Sequence, residues 1–139
     1  MKKLGDWREM LGFESRGYPP MRMVEKPWGH EEIWAETANY LGKVLVIHPN
    51  HRLSRQYHNF KEETFRVLSG VLTLEIGEGD HIATIIMQPG ESFHCAPKTI
   101  HRMICEKSRN LQAVQVLEVS TNPEGIKEDI VRLEDDYIR

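Results

Sequence analysis

The sequence predicts an all-β protein, a sandwich or barrel assembled from many short strands. From His30 onward, short apolar stretches recur at close spacing and are separated by turn-forming residues, which is typical of antiparallel β-structure. No long segment with the 3.6-residue helical period lies between them, which argues against an alternating βαβ fold. Hydrophobic residues make up 40% of the chain and charged residues 28%, so its 139 residues fit one globular domain with its own core.

The beginning of the chain is expected to form an arm and not part of the β-domain. Asp6 can cap a short helix, and glycines and the Pro19-Pro20 pair then interrupt the chain. The sequence therefore predicts an N-terminal arm over residues 1–23 and a single β-domain over residues 24–139.

The apolar stretches predict nine strands, at residues 32–36, 43–48, 53–58, 64–68, 71–76, 82–87, 92–95, 101–105 and 111–119. The glycines at 77 and 79 lie in a hairpin loop, because no helix follows them as a nucleotide-binding glycine loop requires. The last stretch has apolar residues on both faces and is therefore expected to be covered on both sides. In a small sandwich a partner subunit often provides the second cover, so we expect a homodimer.

Composition narrows the possible partners and the cellular location. The formal net charge is −3 and the pI about 6.2, so no global basic field exists to hold nucleic acid or an anionic membrane. No apolar run approaches the ~18 residues of a membrane span, and the first ten residues lack the apolar stretch of a signal peptide. Cys95 and Cys105 have no CxxC partner, which argues against a disulfide framework or a cysteine zinc site. A reducing cytoplasm is the expected location.

Four polar side chains have the spacing of a metal site built on strands. Gln56 and His58 lie on the same face of one strand, because side chains alternate with period two. Glu63 begins the next strand, and His101 begins another strand far downstream. A small barrel can bring these groups together, and a divalent metal binds such a set of imidazole and oxygen donors.

The same residues resemble a known pattern. The spacing Gln56-x-His58-x4-Glu63-x6-Gly70 is similar to the first motif of the cupin superfamily, with Gln in place of the first His that many members carry. The resemblance implies the cupin fold, a double-stranded β-helix or jelly-roll barrel, with a metal inside it.

The second cupin motif is matched in spacing from Gly90 to His101. Its composition differs, because Ala96 and Lys98 stand where the family usually has Pro and Gly.

One branch of the superfamily resembles this chain more closely, the type II mannose-6-phosphate isomerase domain. The shared segments are Glu-Lys-Pro-Trp-Gly at 25–29, Leu-Ser-Arg-Gln-Tyr-His at 53–58, Val-Leu-Ser-Gly at 67–70, His-Arg at 101–102 and Asp-Ile-Val-Arg at 129–132. The resemblance implies aldose–ketose isomerisation of a small phosphorylated sugar, with one divalent ion (Zn²⁺, Mn²⁺, Fe²⁺, Co²⁺ or Ni²⁺) as cofactor. Asn59 and Phe60 depart from the histidines that the isomerases tend to carry there, and Ile138 replaces the Gly of a C-terminal Tyr-Gly-Arg.

Two other functions stay open at this point, a non-catalytic sugar-binding cupin and an iron-dependent dioxygenase. Gln56 makes a His-rich iron centre less suitable, which argues against the dioxygenase. All four ligand positions carry residues that can bind a metal, which argues against a pure binding module.

Two residues near the second motif are the candidates for catalysis. His94 lies on the strand that enters the motif, where it can face the cavity as the acid–base group or point to the surface instead. Lys98 lies on the loop before His101 and is the candidate for binding phosphate at the mouth of the pocket. Arg55 and Arg66 have the opposite strand parity to the metal ligands, so they are expected on a solvated face or in a dimer contact.

Overall fold

Two antiparallel sheets face each other in the computed structural model, which describes residues 22–122 and 129–138. The twelve strands are β1 (Arg22–Lys26), β2 (Gly29–Glu36), β3 (Tyr40–Ile47), β4 (His51–Arg52), β5 (Arg55–His58), β6 (Glu63–Ser69), β7 (Leu72–Glu78), β8 (His81–Met87), β9 (Ser92–Cys95), β10 (His101–Cys105), β11 (Val114–Thr121) and β12 (Ile130–Glu134). The first sheet has the order β1-β2-β3-β11-β6-β9, and the second has the order β12-β5-β10-β7-β8, with β4 paired to β10. The described residues contain no helix, and the predicted all-β double-stranded β-helix is confirmed.

The strand predictions differ from the structure mainly at the two ends. Most of the predicted arm lies outside the described residues, but Arg22 and Met23 already belong to β1. The predicted strand 111–119 begins only at Val114, since Leu111 lies fully exposed in the turn before it. None of the described segments is a helix long and apolar enough to cross a membrane.

The core occupies one end of the space between the sheets. Period-two alternation turns Val114 and Val116 of β11 inward, and both are fully buried. Leu45 of β3 and Phe65 of β6 belong to the same core, and each buried side chain of this size stabilises the fold by about 1.5–3 kcal/mol. The same alternation carries Glu118 to the inner face further along β11, so the inner face changes from apolar to charged along its strands.

The Lys-Pro-Trp-Gly signature forms the tight connection between β1 and β2. Trp28 is 2% exposed and packs in the core. Gly29 has φ +152°, and a Cβ at this position would collide with the Val46 carbonyl on β3. The signature therefore fixes the first hairpin against the barrel wall.

The outer face of the second sheet buries two arginines beneath the C-terminal segment. Arg55 is 3% exposed, donates to Glu75 at 2.7 Å and lies 3.3 Å from Glu134. Arg102 is 1% exposed and donates to Glu134 at 3.2 Å and to Asp136 at 2.9 Å. The expectation of a solvated or dimer-facing Arg55 is wrong, although its parity away from the metal ligands was predicted correctly. Glu75 of β7, Glu134 at the end of β12 and Asp136 after it provide the paired charges that buried guanidinium groups need.

Replacement of Asp136 by Asn should lower the free energy of unfolding by about 1–2 kcal/mol at pH 7, because the side chain serves both Arg52 and the buried Arg102. The hydrogen bond from Arg52 holds the pKa of Asp136 below its ordinary value, so this stabilisation is complete above that ordinary value and is lost as the pH falls through the lowered one. Urea unfolding at pH 7 and at pH 3 measures the difference. Glu106→Gln is the control, since its pair with Arg109 is exposed. Equal effects of the two substitutions at pH 7 would contradict this account.

Candidate metal centre

Three strands of the two sheets bring the predicted ligands together at the charged end of the inner face. β5 supplies His58, β6 supplies Glu63 and β10 supplies His101. One ligand atom from each lies within 4.8 Å of the others. Glu63 Oε1 is 3.0 Å from His58 Nε2, and Glu63 Oε2 is 3.6 Å from His101 Nε2.

The donor chemistry of this group fits a divalent transition metal. His101 Nδ1 donates to the Thr99 carbonyl at 2.9 Å, so Nε2 is the ring nitrogen that is directed toward Glu63 and can bind an ion. Two imidazole nitrogens and a carboxylate are common ligands of Zn²⁺ and related ions. An oriented imidazole and a carboxylate that lies next to both rings are therefore suited to hold an ion.

Gln56, the fourth predicted ligand, lines the same cavity and is 8% exposed. It lies opposite His101 in the pairing of β5 with β10. Its amide nitrogen donates to the Ser54 carbonyl at 3.4 Å, so the amide oxygen is the atom that it can offer to an ion.

Glu63 is a buried carboxylate that the surrounding groups keep ionised. Burial alone would raise its pKa, but the hydrogen bond with His58 and the positive charges of Lys61, His58 and His101 lower the pKa to about 2. The carboxylate is therefore charged at neutral pH, as a metal ligand must be.

Five further charged side chains cross the cavity floor in a line that we call the charged row. They are Lys26, Glu31, Lys43, Glu118 and Lys61. Their successive N···O distances are 3.8 Å from Lys26 to Glu31, 3.1 Å from Glu31 to Lys43, 3.8 Å from Lys43 to Glu118 and 3.4 Å from Glu118 to Lys61. Lys61 then reaches Glu63 at 3.2 Å, so the row ends beside the candidate metal ligands.

The cavity that holds these groups has a volume of about 330 Å³. Its opposite wall includes Ile130 and Arg132 of β12, whose register neighbours on β5 are His58 and Gln56. The pocket is therefore lined by both sheets, and its size suits a small polar molecule.

Asp129 holds the turn that carries Lys61 into the cavity. Its carboxylate accepts hydrogen bonds from the backbone N–H groups of Asn59, Phe60 and Lys61, the last at 2.8 Å. The side chain of Asp129 is buried, so the C-terminal part of the chain fixes the turn before Glu63. The Asp-Ile-Val-Arg segment was the signal for it in the sequence.

The two candidates for catalysis lie outside the cavity. Phe93 stacks on Phe65 in the core with the ring centroids 5.7 Å apart, so alternation turns His94 outward. The His94 side chain is 57% exposed and lies 3.1 Å from Glu62. Lys98 is exposed, and its backbone N–H donates to the His58 carbonyl at 2.6 Å. Lys98 has φ +68°, which explains why the family usually has Gly at this position.

The sequence reasoning missed the charged row as part of the site. Lys61 has the same parity as Glu63, and Glu118 alternates with Val116 toward the interior. These parities were the available signals, but charged residues are rarely assigned to an inner face without knowledge of their partners.

The fold and the inward-facing His, Glu and His group define a cupin. A family model described as "Mannose-6-phosphate isomerase C-terminal" matches residues 16–135. The chain therefore belongs to this family, as its segments predicted.

Curated relatives share this domain within longer proteins. The chain is 26% identical over 117 residues to the mannose-1-phosphate guanylyltransferase RfbM of Salmonella typhimurium, covering 84% of this chain and 23% of the relative. It is 28% identical over 118 residues to the xanthan biosynthesis protein XanB of Xanthomonas campestris pv. campestris, covering 85% of this chain and 24% of that protein. The chain thus spans about a quarter of the length of these relatives.

Solved structures support the fold. The capsular polysaccharide assembling protein CapF of Staphylococcus aureus superposes with a TM-score of 0.71 at 17% identity, over 96% of this chain and 39% of that one. An RmlC-like cupin of Shewanella frigidimarina superposes with a TM-score of 0.62 at 8% identity, over 76% of this chain and 86% of that one. At these identities the likeness concerns the fold alone.

His101→Ala should lower zinc occupancy by more than about tenfold, because it removes an imidazole that the Thr99 carbonyl orients. Equilibrium dialysis against zinc, followed by elemental analysis, measures the occupancy. His81→Ala is the matched control, since His81 is exposed at the start of β8. Equal zinc occupancy in the two variants would contradict a metal centre at this position.

Proposed function

We propose that the protein is a metal-dependent sugar-phosphate isomerase that interconverts an aldose and a ketose, with mannose 6-phosphate and fructose 6-phosphate as the first candidates. The observation that carries the proposal is the convergence of His58, Glu63 and His101 in a polar cavity of about 330 Å³. The family supports it, because its model is described by this activity.

The proposed reaction requires residues that hold a metal ion and a residue that transfers a proton. Gln56, His58, Glu63 and His101 would hold one divalent ion, which when bound supplies Lewis acidity to the carbonyl and hydroxyl oxygens of the sugar. Isomerisation also moves a proton between adjacent carbons, so a group on the cavity wall must accept and return it. His94 points outward, whereas Lys61 lies in the cavity, 3.2 Å from Glu63 and 3.4 Å from Glu118.

Arg132 replaces Lys98 as the proposed contact for the phosphate. Arg132 is exposed on β12 and lines the cavity, whereas Lys98 is exposed on a loop and is not one of the lining residues. A guanidinium at the mouth can bind a phosphate through two parallel hydrogen bonds. The sugar would then extend inward from Arg132 toward Glu63.

Solvent deuterium should enter the carbon adjacent to the carbonyl when metal-loaded protein is mixed with mannose 6-phosphate. NMR or mass spectrometry follows the label, with hexose and pentose phosphates tested in parallel. His101→Ala should abolish the exchange, because it removes a metal ligand, and His94→Gln should leave it unchanged. If no phosphorylated sugar exchanges with any of the five divalent metals, the isomerase proposal is wrong and the sugar-binding function takes its place.

We also propose that the protein forms a homodimer through the outer face of the first sheet. Trp34 and Tyr40 are 52% and 55% exposed there, and Val119 of β11 is 45% exposed. Leu117 and its register neighbour Val44 extend the apolar surface between them. Glu32 and Arg66, the register neighbours of Val44 and Leu117, place one negative and one positive charge on either side of this apolar surface, and a stable dimer needs about 800 Å² per partner.

Light scattering at micromolar concentration should give about twice the chain mass of 16.2 kDa. Val119→Lys should shift the protein toward the monomer, because it places a charge in the centre of the proposed interface. Ile82→Lys, on β8 of the second sheet, is the control and should remain dimeric. A wild-type protein that scatters as a monomer would contradict the dimer.

The two cysteines support the proposal that the protein resides in a reducing compartment such as the cytoplasm. Cys95 and Cys105 are both buried and free. Burial, and after it the negative charge of Glu63, raises the pKa of Cys95 to about 12, so the thiol stays protonated and unreactive.

A further inference from the structure

We propose that the charged row is a subsite for sugar hydroxyl groups, which takes the uncharged, polyhydroxylated part of the ligand and keeps phosphate away. The inference rests on the proposed function in one respect, that the ligand is a sugar derivative. It adds the orientation of the ligand, with the hydroxyl-bearing carbons along the first sheet and the phosphate toward β12.

The first sheet presents the row as an ordered line. Lys26 lies on β1, Glu31 on β2, Lys43 on β3 and Glu118 on β11, which are consecutive neighbours in the sheet. Lys43 and Glu118 are direct register partners. Along the row, Lys26 at the far end is the most exposed side chain at 25%, Glu118 is 5% exposed, and Lys61 beside the metal ligands is 15% exposed. A ligand on this line would therefore reach from the mouth to the candidate metal centre.

The row has hydrogen-bonding capacity that its internal pairs do not use. An ammonium group has three donors and a carboxylate has about four acceptor positions. The hydrogen bonds within the row are one from Lys43 to Glu31 at 3.1 Å and one from Lys61 to Glu118 at 3.4 Å. Lys61 also lies 3.2 Å from Glu63, and all five residues line the cavity, where their other donors and acceptors require polar partners.

Hydroxyl groups match this alternation, and a phosphate does not. Each sugar hydroxyl donates one hydrogen bond and accepts two, so it can bridge a carboxylate and a neighbouring ammonium group. Each lysine of the row lies within 4 Å of a carboxylate, and together with Glu63 the row has three positive and three negative charges. A phosphate dianion placed there would face Glu31 and Glu118 and would be repelled by both.

Glu31→Gln and Glu32→Gln provide a matched pair for the test. The two residues are adjacent on β2, and Glu31 lines the cavity while Glu32 points outward beside His30. Glu118→Gln is a second variant, to be used if Glu31→Gln melts at a lower temperature than Glu32→Gln. Isotope-edited NMR titrations with D-mannose, mannose 6-phosphate and inorganic phosphate report binding without turnover.

Glu31→Gln should weaken the binding of D-mannose and of mannose 6-phosphate by a similar factor of about ten, because it removes a charged acceptor for hydroxyl groups. It should not weaken the binding of inorganic phosphate, because it removes a negative charge that repels phosphate, and Glu32→Gln should change none of the three affinities. Arg132→Gln should weaken only the binding of mannose 6-phosphate and of inorganic phosphate. Equal D-mannose affinities in Glu31→Gln and Glu32→Gln would overturn the proposal, because they would show that the row does not bind the hydroxyl groups. Absence of D-mannose binding to the wild type would overturn it as well.

The binding test and the isomerisation test can have different outcomes, so they distinguish the hydroxyl subsite from the isomerase activity. Mannose binding that depends on Glu31, without deuterium exchange in any sugar phosphate, would support the hydroxyl subsite and reject the isomerase. Deuterium exchange with equal rates and affinities in Glu31→Gln and Glu32→Gln would support the isomerase and reject the hydroxyl subsite.

Discussion

The buried negative charge of Glu63 is the constraint on which the organisation of the site depends. A carboxylate that is 4% exposed would be protonated without compensation, and its neighbours supply that compensation from different strands. His58 and His101 provide imidazole nitrogens on one side, and Lys61 provides an ammonium group on the other. Lys61 in turn requires Glu118, so the need for charge balance extends from one residue across the first sheet.

The division of the inner face explains how a small protein accommodates so many buried charges. β11 shows the division within one strand, because Val114 and Val116 pack in the core while Glu118 faces the cavity. The apolar half stabilises the barrel, and the polar half is left for a ligand. The outer face of the second sheet solves a similar problem differently, since a carboxylate at the end of β12 lies beside both Arg55 and Arg102 there. Sheets of this fold can therefore have charged groups on either face, provided that another segment supplies the opposite charge.

The strands and the ligand residues could be predicted from the sequence because both follow local rules. Turn residues separate the strands, and period-two parity with fixed spacing places His58, Glu63 and His101 inside the barrel. The direction of the His94 side chain could not be predicted in this way. Alternation says that Phe93 and His94 point to opposite faces, but not which of the two packs against Phe65. The charged row and the burial of Arg55 were also beyond local rules. Their partners come from distant parts of the chain, and no alternation pattern shows which charges will meet.

The place of Asp129 in the sequence determines how late in synthesis the site can form. Synthesis proceeds from the N-terminus, so Lys61, Glu63 and most of the barrel are made before Asp129 exists. Until that carboxylate arrives, the three backbone N–H groups of residues 59–61 have no such acceptor and the turn is not held. β12, which follows directly, also adds the last wall beside β5. A nascent chain can thus assemble its hydrophobic core early, but it gains a competent cavity only after Asp129 and β12 have been synthesised.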